Sequence, residues 1–261
     1  MVNDRPIVSF TFDGFRKSAV LNAATLLESR GVAGTYYTSH SFCSAREGDL
    51  DHYDPDDLRR LTDNGHEIGS FTGRPRTPQI DAAQLTADVE ANAEFIRVHL
   101  GDLRMTTFAF PFADIDLRTK LRMQTRFAAC RSTSPGVNAG VADLGALRAE
   151  PLFSGSTDAA AVKSLIASSS RPRSWLIFFT RDVDEMPSPY GCTPALFEHT
   201  LEIALAMGCE VLSVRNALGR IRFRAPSQRK NSASLQGLGV AANRGLGQPD
   251  SGAPSGRTSS F

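Results

Sequence analysis

The chain has 261 residues, of which 41% are hydrophobic, 22% charged and 8% aromatic, and a formal net charge of +1. This ordinary globular composition supplies one sizeable core, and no apolar run approaches the roughly 20 residues of a membrane helix. The four cysteines (Cys43, Cys130, Cys192, Cys209) are scattered without a Cys-x-x-Cys pair, which argues against a disulfide framework and against a thiolate zinc site.

Residues 1–7 lack a hydrophobic leader and enter a strand pattern at once, so a reducing cytoplasm is the expected location. Residues 222–261 carry +5, against −4 for the remainder, and hold six Gly, seven Ser and three Pro. That segment is expected to be a disordered basic tail following a body of residues 1–221. Its charge suits nucleic acid or acidic lipid, but the composition favours a solvated tail with no partner, and neither a nucleic-acid nor a membrane partner is expected.

The body alternates strand and helix patterns. Residues 6–12 read as a strand, and 19–30 as a helix stopped by Gly31. A second strand covers 33–38. Asp54-Pro55 opens a helix, with Asp as N-cap and Pro at its first position, and Gly65 closes it. Residues 66–70 form a third strand. A capping-box pattern over 81–84 starts a helix reaching about His99, and a strand over 106–110 ends at Pro111. Residues 115–124 are helical and 127–131 extended. Thr157 is placed as the cap of an Ala-rich helix ending near Ser168. Residues 175–180 (WLIFFT) carry the strongest strand pattern, apolar on successive residues as in a strand buried on both faces. A helix from Pro194 to Gly208, a strand over 210–214 and a last helical turn near Ile221 follow.

Repeated strand–helix units imply a parallel sheet with helices outside it. The length suits a small or incomplete (β/α) barrel. An open doubly wound sheet is the alternative, though no Gly-x-Gly-x-x-Gly follows any strand. In either architecture the working residues lie beyond the strand C-termini, which nominates Asp13, the 71–76 loop, residues 111–116, Arg131 and Arg181-Asp182.

Several of these strand ends carry recognisable motifs: SFTFDG over Ser9–Gly14, GHEIGSFT over Gly65–Thr72, FAFPF over Phe108–Phe112, FFTRDV over Phe178–Val183 and SPYGCTP over Ser188–Pro194. Together they resemble the polysaccharide deacetylase (NodB-homology) family, in order, over roughly residues 5–218. The resemblance implies a distorted, incomplete (β/α) barrel and removal of N-acetyl groups from carbohydrate such as chitooligosaccharide, with a divalent metal, typically zinc, as cofactor. In the family one Asp is the base for a metal-bound water, a second Asp and two His hold the metal, and a late His protonates the leaving amine.

By that correspondence Asp13 is the base. The second Asp is Gly14, the first ligand His is Phe71, the second falls on Pro75 (or on Arg74 if the loop is one residue shorter), and the late His is Arg181. Gly and Phe offer no donor and Arg stays protonated, so no metal cofactor is expected. Pro111, Phe112 and Arg131 are assigned to the substrate groove. Of the five His, His66 reads as a packing residue, His99 and His199 as helix-surface residues, and His40 as the one able to reach the mouth. Asp114 and Asp116 read as helix caps, and Asp182 and Asp184 as organisers of the 182–192 loop. Arg16, Arg74, Arg76 and Glu185 complete the charged residues expected at the mouth.

The function that follows is that of a degenerate, impaired or inactive deacetylase relative. The alternatives are a carbohydrate-binding pseudoenzyme, with an N-acetylglucosamine-type oligosaccharide as partner, and a decaying gene product. Arg181, or Arg74, is expected to pair with Asp13 in place of the metal and to depress its pKa.

Overall fold

The computed structural model describes residues 3–47, 50–72, 82–111 and 115–222. The expected tail therefore lies outside the described residues except at Arg222, as do Arg74, Pro75, Arg76, Asp81, Phe112 and Asp114.

The first strand, β1 (Ile7–Asp13), is central. Along one edge it pairs in parallel with β10 (Ser174–Thr180), from Ile7↔Trp175 to Phe12↔Thr180. Its upper half also pairs with β2 (Thr35–Thr38), and its lower half with the short β11 (Glu210–Val211). The sheet continues from β2 through β5 (Glu67–Ser70) and β6 (Thr107–Ala109) to β7 (Ala129–Arg131), all parallel. Beyond β10 lie the antiparallel β8 (Asn138–Ala139) and the parallel β9 (Glu150–Pro151). The sheet curls into an open half-barrel. A separate hairpin, β3 (Arg46–Glu47) with β4 (Leu50–Asp51), follows β2.

Strand alternation sorts the side chains of β1. Val8, Phe10 and Phe12 join the core beneath the helices, where Phe10 lies 5.8 Å from Phe178 and 5.0 Å from Phe197 between ring centroids. Ile7 packs with Trp175, Ile177 and Val214 on the other face. There Trp175 Nε1 donates to Ser9 Oγ (2.9 Å), and Thr11 Oγ1 donates to the Phe178 carbonyl (2.8 Å). The odd-numbered row of β1 therefore climbs the barrel interior and ends at Asp13.

The helices sit largely as the sequence predicts. The first, α1, opens with a π-helical stretch Ala19–Ala24 and runs on through Thr25–Ser29. α2 (Pro55–Asp63) carries the expected Asp54 cap, reinforced by a reciprocal bond from Asp57. α3 is Ala82–Leu100 and α4 is Leu117–Gln124, the latter capped by Asp116. α5 (Ala159–Ser169) is capped by Asp158 rather than by Thr157, whose hydroxyl donates to the Pro151 carbonyl instead. α6 is Pro194–Ala206, capped by Thr193. The last strand stops at Val211 because Ser213 caps α7 (Val214–Arg220). The strands β3, β4, β8 and β9 carry no alternation long enough to read in sequence. These elements belong to one compact unit, Met1–Ala225.

Candidate functional site

The C-terminal ends of β1, β5 and β10 open onto a cleft of about 540 Å³. Its lining is Asp13, Gly14, Phe42, Phe71, Thr133, Pro151, Phe153, Phe179, Thr180, Arg181 and Tyr190. The structure thus brings Asp13, Gly14, Phe71 and Arg181 together, as the strand-end rule expects.

Asp13 does not pair with Arg181. Both its carboxylate oxygens accept from Nη2 of Arg131, at the end of β7. The Arg131 side chain has no exposed surface. Its Nη1 donates to the Ser132 carbonyl (3.0 Å), and its guanidinium lies 5.4 Å from the Tyr37 ring centroid and 5.0 Å from that of Phe179. Arg131, assigned by sequence to the substrate groove, is therefore a buried counter-ion beneath it. The reason is strand parity: Ala129 packs in the barrel interior, and a two-residue period turns Arg131 the same way. Burial pushes the Asp13 carboxyl above its ordinary range, and Arg131 only partly pulls it back. The expected depression is thus reversed, because desolvation outweighs the ion pair.

Arg181 is engaged on the other side of the cleft. Its Nη2 lies 3.3 Å from His52 Nε2, and its guanidinium sits 5.7 Å from the Phe42 ring centroid. Phe42 stacks on His52 (4.9 Å, 6° between planes) and faces Phe71 (6.3 Å, 27°). The buried His52, whose Nδ1 is 3.0 Å from the Phe15 carbonyl, is the histidine behind the mouth; His40 is exposed. His66 is a packing residue as expected. Its Nδ1 accepts from the Gly34 N–H (3.0 Å), which leaves Nε2 to donate to Glu28 (3.2 Å).

These residues leave little room for a metal. Gly14 has φ +46°, and a Cβ there would meet Phe42 Cε2 at 2.7 Å and Phe71 Cε1 at 3.2 Å. The space into which an Asp side chain would project is filled by aromatic carbon, and the remaining carboxylate is tied to Arg131. Among the described residues no three His, Cys, Asp or Glu side chains converge as a metal-binding group. The residues present do not fit the family's cation. Nor do the cysteines offer a nucleophile, since burial pushes the Cys130 and Cys192 thiols up to about 12.

The loop after β10 shapes the rim. Asp182 accepts from the Ser188 N–H (2.8 Å) and hydroxyl (2.5 Å), and Asp184 accepts from the Met186 N–H (3.1 Å). Gly191 permits this fold-back, because a Cβ there would lie 2.5 Å from the Asp182 carboxylate. Tyr190, 56% exposed, is thereby placed edge-on to Phe153 (5.8 Å), which is itself edge-on to Phe179 (5.3 Å). Asp116 only caps α4, accepting from the Thr119 N–H (2.7 Å). Pro111 is buried at the end of β6.

Residues 2–126 match the family model described as polysaccharide deacetylase. Over that stretch the chain resembles polysaccharide deacetylases, with the replacements at Gly14 and Phe71 described above, and Arg181 beyond it. No curated protein matches the sequence. Among solved structures, the chain is similar to a family 4 acetyl xylan esterase from Clostridium thermocellum, in complex with a cobalt ion (16% identity, 82% of this chain and 90% of the other, TM-score 0.58). It is similar to a peptidoglycan deacetylase from Bacillus subtilis (12%, 83% and 92%, 0.57). It is also similar to a carbohydrate esterase family 4 pseudoenzyme from Bacillus anthracis (10%, 83% and 66%, 0.59). At these identities the likeness establishes the fold. It agrees with the barrel expected from the deacetylase motifs, whereas Phe42, Phe153 and His52, which remodel the site, lie outside every motif that carried the resemblance.

Proposed function

We propose that this protein is a non-catalytic member of its family: a pseudoenzyme that keeps a ligand cleft at the former hydrolytic site and binds carbohydrate of the N-acetylglucosamine type. One observation carries the reading. Among the described residues, the one acidic residue lining the cleft is bonded through both oxygens to the buried Arg131, while aromatic rings cover Gly14.

A general base must accept a proton from water within hydrogen-bond reach. Asp13 is held instead as the acceptor in an ion pair, and removing its charge would strand a buried guanidinium. Arg181 stands where the family has its proton donor, and a guanidinium, which keeps its proton in water, does not protonate a leaving amine. The four unpaired cysteines are in keeping with a cytoplasmic location.

The test combines turnover and binding. Purified protein is assayed for acetate release from N-acetylated chitooligosaccharides with added zinc or cobalt, and titrated calorimetrically with the same oligomers. The reading expects saturable binding without acetate release. Metal-dependent release that disappears in Asp13→Asn would overturn it.

A further inference from the structure

Beyond the proposed loss of turnover, the cleft has a particular chemistry. Five of its eleven described lining residues are aromatic, and they fall on both sides of β1. Phe42 and Phe71 follow β2 and β5 on one side, while Phe153, Phe179 and Tyr190 belong to the β9–β10 side. The polar groups between them are largely occupied. Asp13 is bonded to Arg131, the Thr180 hydroxyl points at the Asp182 and Tyr190 carbonyls (3.3 Å each), and Arg181 is stacked on Phe42 beside His52. A flat apolar ring seated between these aromatic side chains would meet π-faces and edges on two sides.

We propose that the cleft is a binding site for a planar aromatic group, either a free aromatic molecule or an aryl substituent carried on a carbohydrate. The proposal rests on the reading of this cleft as a retained ligand site and specifies what it retains. The volume of about 540 Å³ accommodates a one- or two-ring system. Phe153 and the exposed Tyr190 line it edge-on to each other, so aromatic recognition depends on this pair as well as on Phe42 and Phe71.

Three probes separate the cases by calorimetric titration: 4-methylumbelliferone, its N-acetylglucosaminide, and N,N′-diacetylchitobiose. The expected result is 1:1 binding of the aryl glycoside at least tenfold tighter than that of the unsubstituted disaccharide. Equal binding of the free aromatic assigns the site to the ring alone, and weaker binding of the free aromatic assigns it to an aryl carbohydrate. Phe153→Ser with Tyr190→Ser should weaken the aryl probes at least tenfold, and Tyr190→Ser alone, at an exposed position, should do so in part with an unchanged melting temperature. Chitobiose binding as tightly as the aryl glycoside would overturn the aromatic assignment and leave the carbohydrate reading standing. No binding of any probe would overturn both. Aryl binding unaffected by either variant would overturn the assignment to this cleft.

Discussion

The barrel interior holds a carboxylate at each end, and the two are satisfied in different ways. At the bottom, the fully buried Glu67 accepts from the Thr35 hydroxyl (2.9 Å), the Thr107 hydroxyl (2.6 Å) and the Arg215 N–H (2.7 Å) at the start of α7. At the top, Asp13 is satisfied by the guanidinium of Arg131. Burial raises both carboxyls. The neutral donors around Glu67 belong to two strands and a helix terminus, and join parts of the barrel far apart in sequence. The Asp13 partner is a single cation at the place where the family's chemistry uses a metal. The bottom of the barrel is therefore held by neutral donors that tie the fold together, and the top by one buried ion pair at the cleft.

The largest expected effect comes from breaking the upper pair. Arg131→Met leaves a buried carboxylate without its counter-ion and should cost about 3–5 kcal/mol in urea unfolding. Adding Asp13→Asn should recover a substantial part of that loss, because the uncompensated charge goes with it. A double variant no more stable than the single one would mean that the packing of Arg131 against Tyr37 and Phe179, and not the charge, carries the energy.

At the lower site, Glu67→Gln turns an amide N–H₂ toward at least one donor and should cost about 1–3 kcal/mol. The pH dependence has a fixed sign. The folded state holds the Glu67 proton more tightly than the unfolded chain, so this contribution is fully present below the unfolded value of about 4.3 and is lost as pH rises through the folded value. The stability of wild type relative to Glu67→Gln should therefore fall as pH rises across that window. A difference that grows with pH would contradict the raised carboxyl.

Restoring the family ligands sharpens the contrast from the other side. Gly14→Asp alone should destabilise by about 1–3 kcal/mol, because its Cβ meets Phe42 and its φ is positive. Combined with Phe71→His, it should gain zinc affinity only when Phe42→Ala is added, as read by calorimetry. Zinc binding without Phe42→Ala would show that the aromatic cover yields easily. The smallest effect belongs to a carboxylate with neither role: Asp116→Ala removes the α4 cap and should cost about 1 kcal/mol without changing ligand binding.

Much of this was legible in the sequence. The alternation of strands and helices, the Asp54-Pro55 and Thr193-Pro194 caps, and the placing of Asp13, Gly14, Phe71 and Arg181 at one end of the sheet all follow from local pattern and from the parallel-sheet rule. The partner of Asp13 is Arg131 and not the expected Arg181, because the motif correspondence marks only the replaced positions and Arg131 is not one of them. Parity along β7 pointed Arg131 inward, but choosing it over Arg181 requires the curl of the sheet that brings β7 toward β1. Phe42 and Phe153 lie in short irregular connections, whose packing depends on tertiary contacts and leaves no periodic trace. The two-residue strands β3, β4, β8 and β9 are equally silent, since such lengths show no alternation.

An ion pair and an aromatic cover stand at the positions that match the metal ligands of the deacetylases. The deciding measurement is elemental analysis after equilibrium dialysis of the full chain against zinc or cobalt. No stoichiometric metal is expected in wild type, and no change with Asp13→Ala. About one metal ion per chain, lost in Asp13→Ala, would show that the ion pair and the rings do not exclude a cation.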